Sequence, residues 1–128
     1  MFKIGLIGAG AMGGAIGTRL LEVGCALAVF DLDKARVQEL VDKGGREASS
    51  ASDAASEADF VIFSLNASRI VEIAAFGEGG AAMGANSDTI FIDMSSVGPE
   101  ETKELAAKAL KHNIGWVTHL YQVVRLKL

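Results

Sequence analysis

The feature that most constrains this chain is a run of glycines with a strand pattern before it and a helix pattern after it. Gly8-Ala9-Gly10-Ala11-Met12-Gly13 has the spacing G-x-G-x-x-G. Ahead of it, Phe2 to Ile7 is a short apolar run that fits a strand buried on both faces. Behind it, Met12, Ile16, Leu20 and Val23 fall near helical spacing, with Arg19 and Glu22 off that stripe. The first glycine permits the tight turn, the second lets a diphosphate approach the backbone, and the third lets helix and strand pack closely. Unpaired N–H groups at the helix start then face the phosphates. Asp31 ends the next apolar strand, about 20 residues on, where a carboxylate accepts the ribose hydroxyls of adenosine. Glycines and acid together point to a dinucleotide held by Gly8, Gly10, Gly13 and Asp31. The acid favours NAD over NADP, because a 2′-phosphate would meet like charge, and Asp33 adds to it. Arg36 is able to soften this, but one helical turn into the next element it is read as lying on a solvated face.

The rest of the chain keeps the same rhythm. Gly24 ends the first helix, residues 26–30 form a second strand, and Asp33 caps a helix from Lys34 to Lys43 that stops at Gly44-Gly45. Ser50 and Asp53 have capping-box spacing for a short helix, Phe60 to Leu65 is the next strand, and Ser68 to Ala75 is helical in pattern. The glycine-rich stretch 76–87 reads as a loop, and residues 89–94 as a strand. Pro99, Glu100 and Glu101 then start a helix with Leu105, Ala109 and Leu110 on its buried side. Alternating strands and helices with short joints imply a parallel sheet, right-handed crossovers and helices on both faces. The expected fold is a doubly wound α/β domain of Rossmann type, a single domain over residues 1–117.

Composition sets the limits. A chain of 128 residues, half of them apolar, can bury one core without disulfides. Its formal charge of −4 is spread without acidic or basic blocks, which excludes nucleic acid and anionic lipid as partners. Cys25 is the one cysteine and reads as the small buried thiol of an intracellular protein. The apolar N-terminal run is broken by glycines and has no signal-peptide cleavage site, and no stretch approaches the ~20 apolar residues of a membrane helix. The expected location is the cytoplasm. His112 lies on a Lys-rich helix end and His119 in the tail, and no metal-ligand or Ser-His-Asp spacing is readable. No metal site and no catalytic residue is assigned.

The stretches IGLIGAGAMGGAIGTRLLEVG, VIFSLN and FIDMSSVGPEETKELA together resemble the β-hydroxyacid dehydrogenases, the group of 3-hydroxyisobutyrate and tartronate-semialdehyde reductases related to 6-phosphogluconate dehydrogenase. The discriminating piece is D-x-S-S/T-x-x-P, here Asp93, Ser95, Ser96 and Pro99. The resemblance implies that residues from Gly8 to Gly13, Ala11 included, hold the pyrophosphate, that Met12 lies under the cofactor, and that Asp31 takes the adenine ribose. It implies that Leu65 and Asn66 flank the nicotinamide half, with asparagine in place of the family's usual proline. It also implies that Ser96 contacts the nicotinamide end and that Ser95 and Ser96 lie at the substrate, an NAD-linked small β-hydroxy acid. Helix capping ahead of Pro99 is the competing role for both serines. A stand-alone NAD-binding or interaction module, or the nucleotide domain of an imine or pyrroline reductase, would share the opening motif.

The tail departs from that pattern. In the family, the strand after the last helix runs F-x-D-A-P-V-S-G-G and precedes a helical domain with a catalytic lysine. Here Trp116-Val117 is followed by Thr118 to Leu128. Synonymous codons for that tail, regrouped after one added base, spell D-A-P-V-S-G-G-P-A-K-A. The expectation is therefore a frameshift near Val117, a cofactor domain without its catalytic half, and an inactive chain. Lys103, Lys108, Lys111 and Lys127 are not expected to substitute for the missing lysine. Thr118 to Leu126 retains enough β-forming residues to add a strand in the place the family's strand takes, and its edge could pair a second copy into a homodimer.

Overall fold

The computed structural model describes residues 1–95, 97–118 and, for the backbone alone, 122–124. Strands β1 (Lys3–Ile7), β2 (Ala26–Phe30), β3 (Arg46–Glu47), β4 (Phe60–Phe63), β5 (Ile90–Asp93) and β6 (Gly115–Thr118) run parallel, and β7 (Gln122–Val124) pairs antiparallel with β6. Their spatial order is β3-β2-β1-β4-β5-β6-β7. Helices α1 (Ala11–Glu22), α2 (Lys34–Val41), α3 (Ala51–Ala55), α4 (Ser68–Phe76), α5 (Ala81–Gly84) and α6 (Pro99–Lys111) fill the crossovers. The chain thus has the expected doubly wound α/β fold. Strand order reverses between β1 and β4, so the connections leaving those two strands diverge and open a crevice at their carboxyl ends.

Two apolar layers sandwich the sheet. On one face Ile4, Leu6, Leu27, Val29 and Ile62 meet α1 and α2 through Ile16, Leu20, Val37 and Leu40. On the other, Ile7, Val61, Phe63, Phe91 and Trp116 meet the remaining helices through Ala54, Val71, Ala81 and Leu105. Neighbours in a strand thus face opposite layers, as the two-residue period requires. Helix α1 reaches its layer through glycine. A Cβ at Gly17 would sit 3.0–3.2 Å from Leu40, Leu6 and Leu27, so the missing side chain is what brings the helix this close. The ends of the stripe expected to be buried, Met12 and Val23, are exposed instead.

Other departures have local causes. The two residues of β3 are exposed and paired only with Ala28 and Val29 of β2, too short a run to show a period. The expected loop 76–87 contains α5, whose Gly84 packs so tightly on the Ser52 carbonyl of α3 that no Cβ fits. On α6 the buried side is Thr102, Leu105, Ala106 and Ala109, while Leu110 is exposed. In the tail, Thr118 belongs to β6, which takes the place beside β5; Gln122–Val124 lie one place further out, opposite Trp116–Thr118. Residues 119–121 and 125–128, with Ser96, lie outside the described residues. Among the described residues no helix is long and apolar enough to cross a membrane.

Candidate functional site

The crevice is floored by the glycine turn. Gly8 has φ +98°, donates its N–H to the Phe30 carbonyl at 3.0 Å, and leaves no room for a Cβ against the Ser64 carbonyl. Gly13 is equally constrained: a Cβ there would overlap the Gly8 carbonyl oxygen. Gly10 differs from both. It is the N-cap of α1 without a side-chain cap, and the nearest atom a Cβ would meet is Arg36 Nη1, 3.4 Å away. The turn is therefore closed beneath by Gly8 and Gly13 and open at Gly10. With no acidic residue in its first turn, α1 presents the positive end of its dipole to that opening.

Asp31 binds the turn to its neighbour. Its Oδ2 accepts the Ala9 N–H at 2.7 Å and its Oδ1 accepts the Asp33 N–H at 2.8 Å, so one carboxylate joins the β1–α1 turn to the β2–α2 turn. Each oxygen keeps a further lone pair for a ligand hydroxyl. Asp33 in turn caps α2, accepting the Ala35 N–H at 3.0 Å.

A groove of about 380 Å³ brings Gly8, Gly10, Ala11, Met12 and Asp31 together with Leu65 and Asn66. Met12 is 51% exposed at its rim. Beside it, an apolar slot of about 300 Å³ runs between Leu32 and Ile70, with Gly8, Asp31, Leu65 and Ile70 common to both hollows. Leu32 is 88% exposed at the edge of the slot. Leu32, Ile70, Met94 and Arg36 line these hollows without having been singled out in the sequence as site residues. The signal for Leu32 and Arg36 was their position just after the Asp31 strand; nothing in the spacing marks Ile70 or Met94.

Ser95 does not face the groove. It is 2% exposed, and its Oγ accepts the Leu65 N–H at 2.9 Å while lying 3.3 Å from the Phe63 carbonyl, to which it donates. Its own N–H donates to Asp93 Oδ1 at 2.9 Å. The side chain holds the end of β4 in register with the end of β5 and so positions Leu65 and Asn66. Among the described residues no His, Cys, Asp and Glu group has metal-site geometry.

An open glycine turn, a carboxylate at the next strand end and an apolar slot beside it, at the switch point of a parallel sheet, define an NAD(P)-binding Rossmann domain. Residues 3–119 match the NAD-binding domain of 6-phosphogluconate dehydrogenase, and the chain belongs to that family. It is 39% identical over 107 residues to 3-sulfolactaldehyde reductase of Escherichia coli, covering 84% of this chain and 36% of the relative. To 2-(hydroxymethyl)glutarate dehydrogenase of Eubacterium barkeri it is 36% identical over 115 residues, 90% of this chain and 38% of the relative. Its structure superposes on Mycobacterium tuberculosis 3-hydroxyisobutyrate dehydrogenase, solved with L-serine, with a TM-score of 0.82 at 26% identity, over 92% of this chain and 39% of that one. The chain thus spans little more than a third of the length of these relatives.

Proposed function

We propose that this chain is the cofactor-binding part of an NAD-dependent oxidoreductase acting on small β-hydroxy acids of the 3-hydroxyisobutyrate or 2-hydroxy-3-oxopropionate type. The observation that carries the reading is Asp31, tied to both turns while keeping acceptor capacity toward the groove. N–H groups at the start of α1 receive the diphosphate, Asp31 receives the adenosine ribose, and the slot between Leu32 and Ile70 shelters the adenine. Leu65 and Asn66, set by Ser95, orient the nicotinamide end. NAD would supply the hydride chemistry when bound; the residues of this chain would bind, orient and screen it. Asp31 and Asp33 favour NAD over NADP by repelling a 2′-phosphate.

The substrate class rests on the relatives' names. Two of them, 2-(hydroxymethyl)glutarate and 3-hydroxyisobutyrate, describe a hydroxymethyl group on the carbon that bears a carboxylate. By this reading the 128 residues bind cofactor without turnover, the groove's ionisable side chains being engaged otherwise, Asp31 with two backbone N–H groups and Arg36 with Asp33. The tail from Thr118 is read as out of frame, which sequencing codons 115 to 128 tests: codons that do not regroup to D-A-P-V-S-G-G reject it. The edge at β7 is read as a place for a second copy to pair, tested by sedimentation over a range of chain concentrations.

The deciding measurement for the function is a titration of the purified chain with NADH and NADPH, followed by the fluorescence of the reduced nicotinamide. Saturable binding with NADH the tighter ligand is expected. Tighter binding of NADPH would overturn the role given to Asp31.

A further inference from the structure

Asn66 is a polar residue of the crevice that the rest of the fold leaves unused. It lies between Leu65, whose N–H donates to Ser95 Oγ at 2.9 Å, and Ala67, the N-cap of α4, so both its neighbours are fixed. Asparagine beside a helix start ordinarily gives its side-chain oxygen to a helix N–H. Here it stands one place too early: α4 has no side-chain cap, and the Ile70 and Val71 N–H groups donate to the Ala67 carbonyl, each at 3.1 Å. Among the described residues neither the side-chain amide nor the backbone N–H of Asn66 has a hydrogen-bond partner, and the residue is exposed.

Its place in the sheet decides which part of a ligand it meets. The strands stand in the order β2-β1-β4, with Asp31 at the end of β2, the glycine turn at the end of β1 and Asn66 just past the end of β4. A dinucleotide whose diphosphate rests on the turn and whose adenosine ribose reaches Asp31 carries its other half toward β4. Asn66 lines the groove but not the slot that shelters the adenine. Beside it in the groove are the apolar side chains of Met12, Leu65 and Met94. Such walls suit a flat ring but offer nothing to a carboxamide on that ring, and a desolvated amide left unpaired weakens binding. A side-chain amide supplies both the acceptor and the donors that a carboxamide needs. Proline, which the resemblance implies at this place, supplies no donor.

We propose that Asn66 recognises the carboxamide of the nicotinamide, each amide donating to the carbonyl of the other. This rests on the cofactor reading above and extends it to the second end of the dinucleotide. Asp31 takes the adenosine ribose, and Asn66 reads the substituent on the pyridine ring. Its backbone is set in advance by the Ser95 tie on one side and α4 on the other, so little ordering is needed when the ligand arrives.

The test titrates the wild-type chain and Asn66→Ala by calorimetry, each first checked for native circular dichroism. Three ligands are compared: NADH, its reduced acetylpyridine analogue, in which a methyl ketone replaces the carboxamide, and ADP-ribose, which lacks the pyridine ring. In the wild-type chain NADH should bind about tenfold more tightly than the ketone, which has no N–H to donate, a difference equivalent to about 1.4 kcal/mol. Asn66→Ala should weaken NADH about tenfold, bring it level with the ketone and leave ADP-ribose unchanged. If the variant binds NADH as the wild type does, or if the gap between NADH and the ketone survives in it, Asn66 does not read the carboxamide although the cofactor reading stands. Equal losses for NADH and ADP-ribose would also overturn the proposal, since the side chain would then act on the part of the ligand they share. If the folded wild-type chain binds neither NADH nor ADP-ribose, the cofactor reading falls and this proposal falls with it.

Discussion

One methyl group at Gly13 is the smallest change expected to spoil the groove. Its Cβ would overlap the Gly8 carbonyl oxygen, and neither backbone can yield without opening the turn. Gly13→Ala should weaken NADH binding at least about tenfold, about 1.4 kcal/mol, by fluorescence titration. Gly10→Ala should spare the fold, because the nearest atom to its Cβ is the end of a flexible arginine, yet still weaken NADH binding, because the methyl stands where the diphosphate approaches the backbone. Asp31→Ala acts on two levels. It removes the ribose acceptor, and it strips acceptors from the Ala9 and Asp33 N–H groups. Chemical denaturation should show a loss of about 1–3 kcal/mol even without nucleotide. A ribose contact alone would leave the free chain as stable as before, so an unchanged midpoint would refute the structural part of the role.

At the scale of elements, the short helix α3 shows how local chemistry fixes a joint. Ser50 Oγ accepts the Asp53 N–H at 3.0 Å, and Asp53 Oδ2 accepts the Ser49 N–H at 2.8 Å. That is the capping box expected from the sequence, with the reciprocal bond displaced by one residue to Ser49. The Ser49 N–H first, and then Arg46, hold the Asp53 carboxyl below its ordinary value of 3.8. A lowered folded pKa contributes stability that is fully present above the unfolded value and is lost as pH falls through the folded one. Acid unfolding followed by circular dichroism should therefore show a contribution lost below about pH 3.8 that Asp53→Asn abolishes. Ser50→Ala should cost about 1 kcal/mol at neutral pH.

The same scale shows what the sequence makes legible. Strands β1, β2, β4 and β5 are apolar runs, and the caps Asp33 and Ser50 and the first-position proline Pro99 mark real helix starts. The turn and Asp31 were readable because each glycine answers a separate steric demand and the acid sits at a fixed distance along the chain. Strand β3 and helix α5 were not, being too short to carry a period and held by tertiary contacts such as Gly84 on Ser52. Ser95 was legible as a polar residue at the right strand end but not as a buried tie, because its orientation depends on the Phe63 carbonyl across the sheet. Leu32 and Ile70 become neighbours only once β2 and β4 flank β1.

For the molecule as a whole, the layer on the α3–α6 side centres on the buried Trp116, with buried Phe63 and Phe91 and half-buried Phe76 at ring-centroid distances of 6.0–6.2 Å. Its Nε1 has no hydrogen-bond partner among the described residues. Trp116→Phe removes that unpaired donor along with some volume, and should cost less than about 1.5 kcal/mol. Trp116→Ala should cost about 3–5 kcal/mol, both read from thermal or denaturant midpoints. The tie made by Asp31 between two turns has a kinetic consequence. Because the receiving surface is assembled before a ligand arrives, capture needs no prior rearrangement. In rapid mixing, the observed rate should climb in proportion to NADH concentration with one exponential phase, whereas a plateau would reveal a slow opening step.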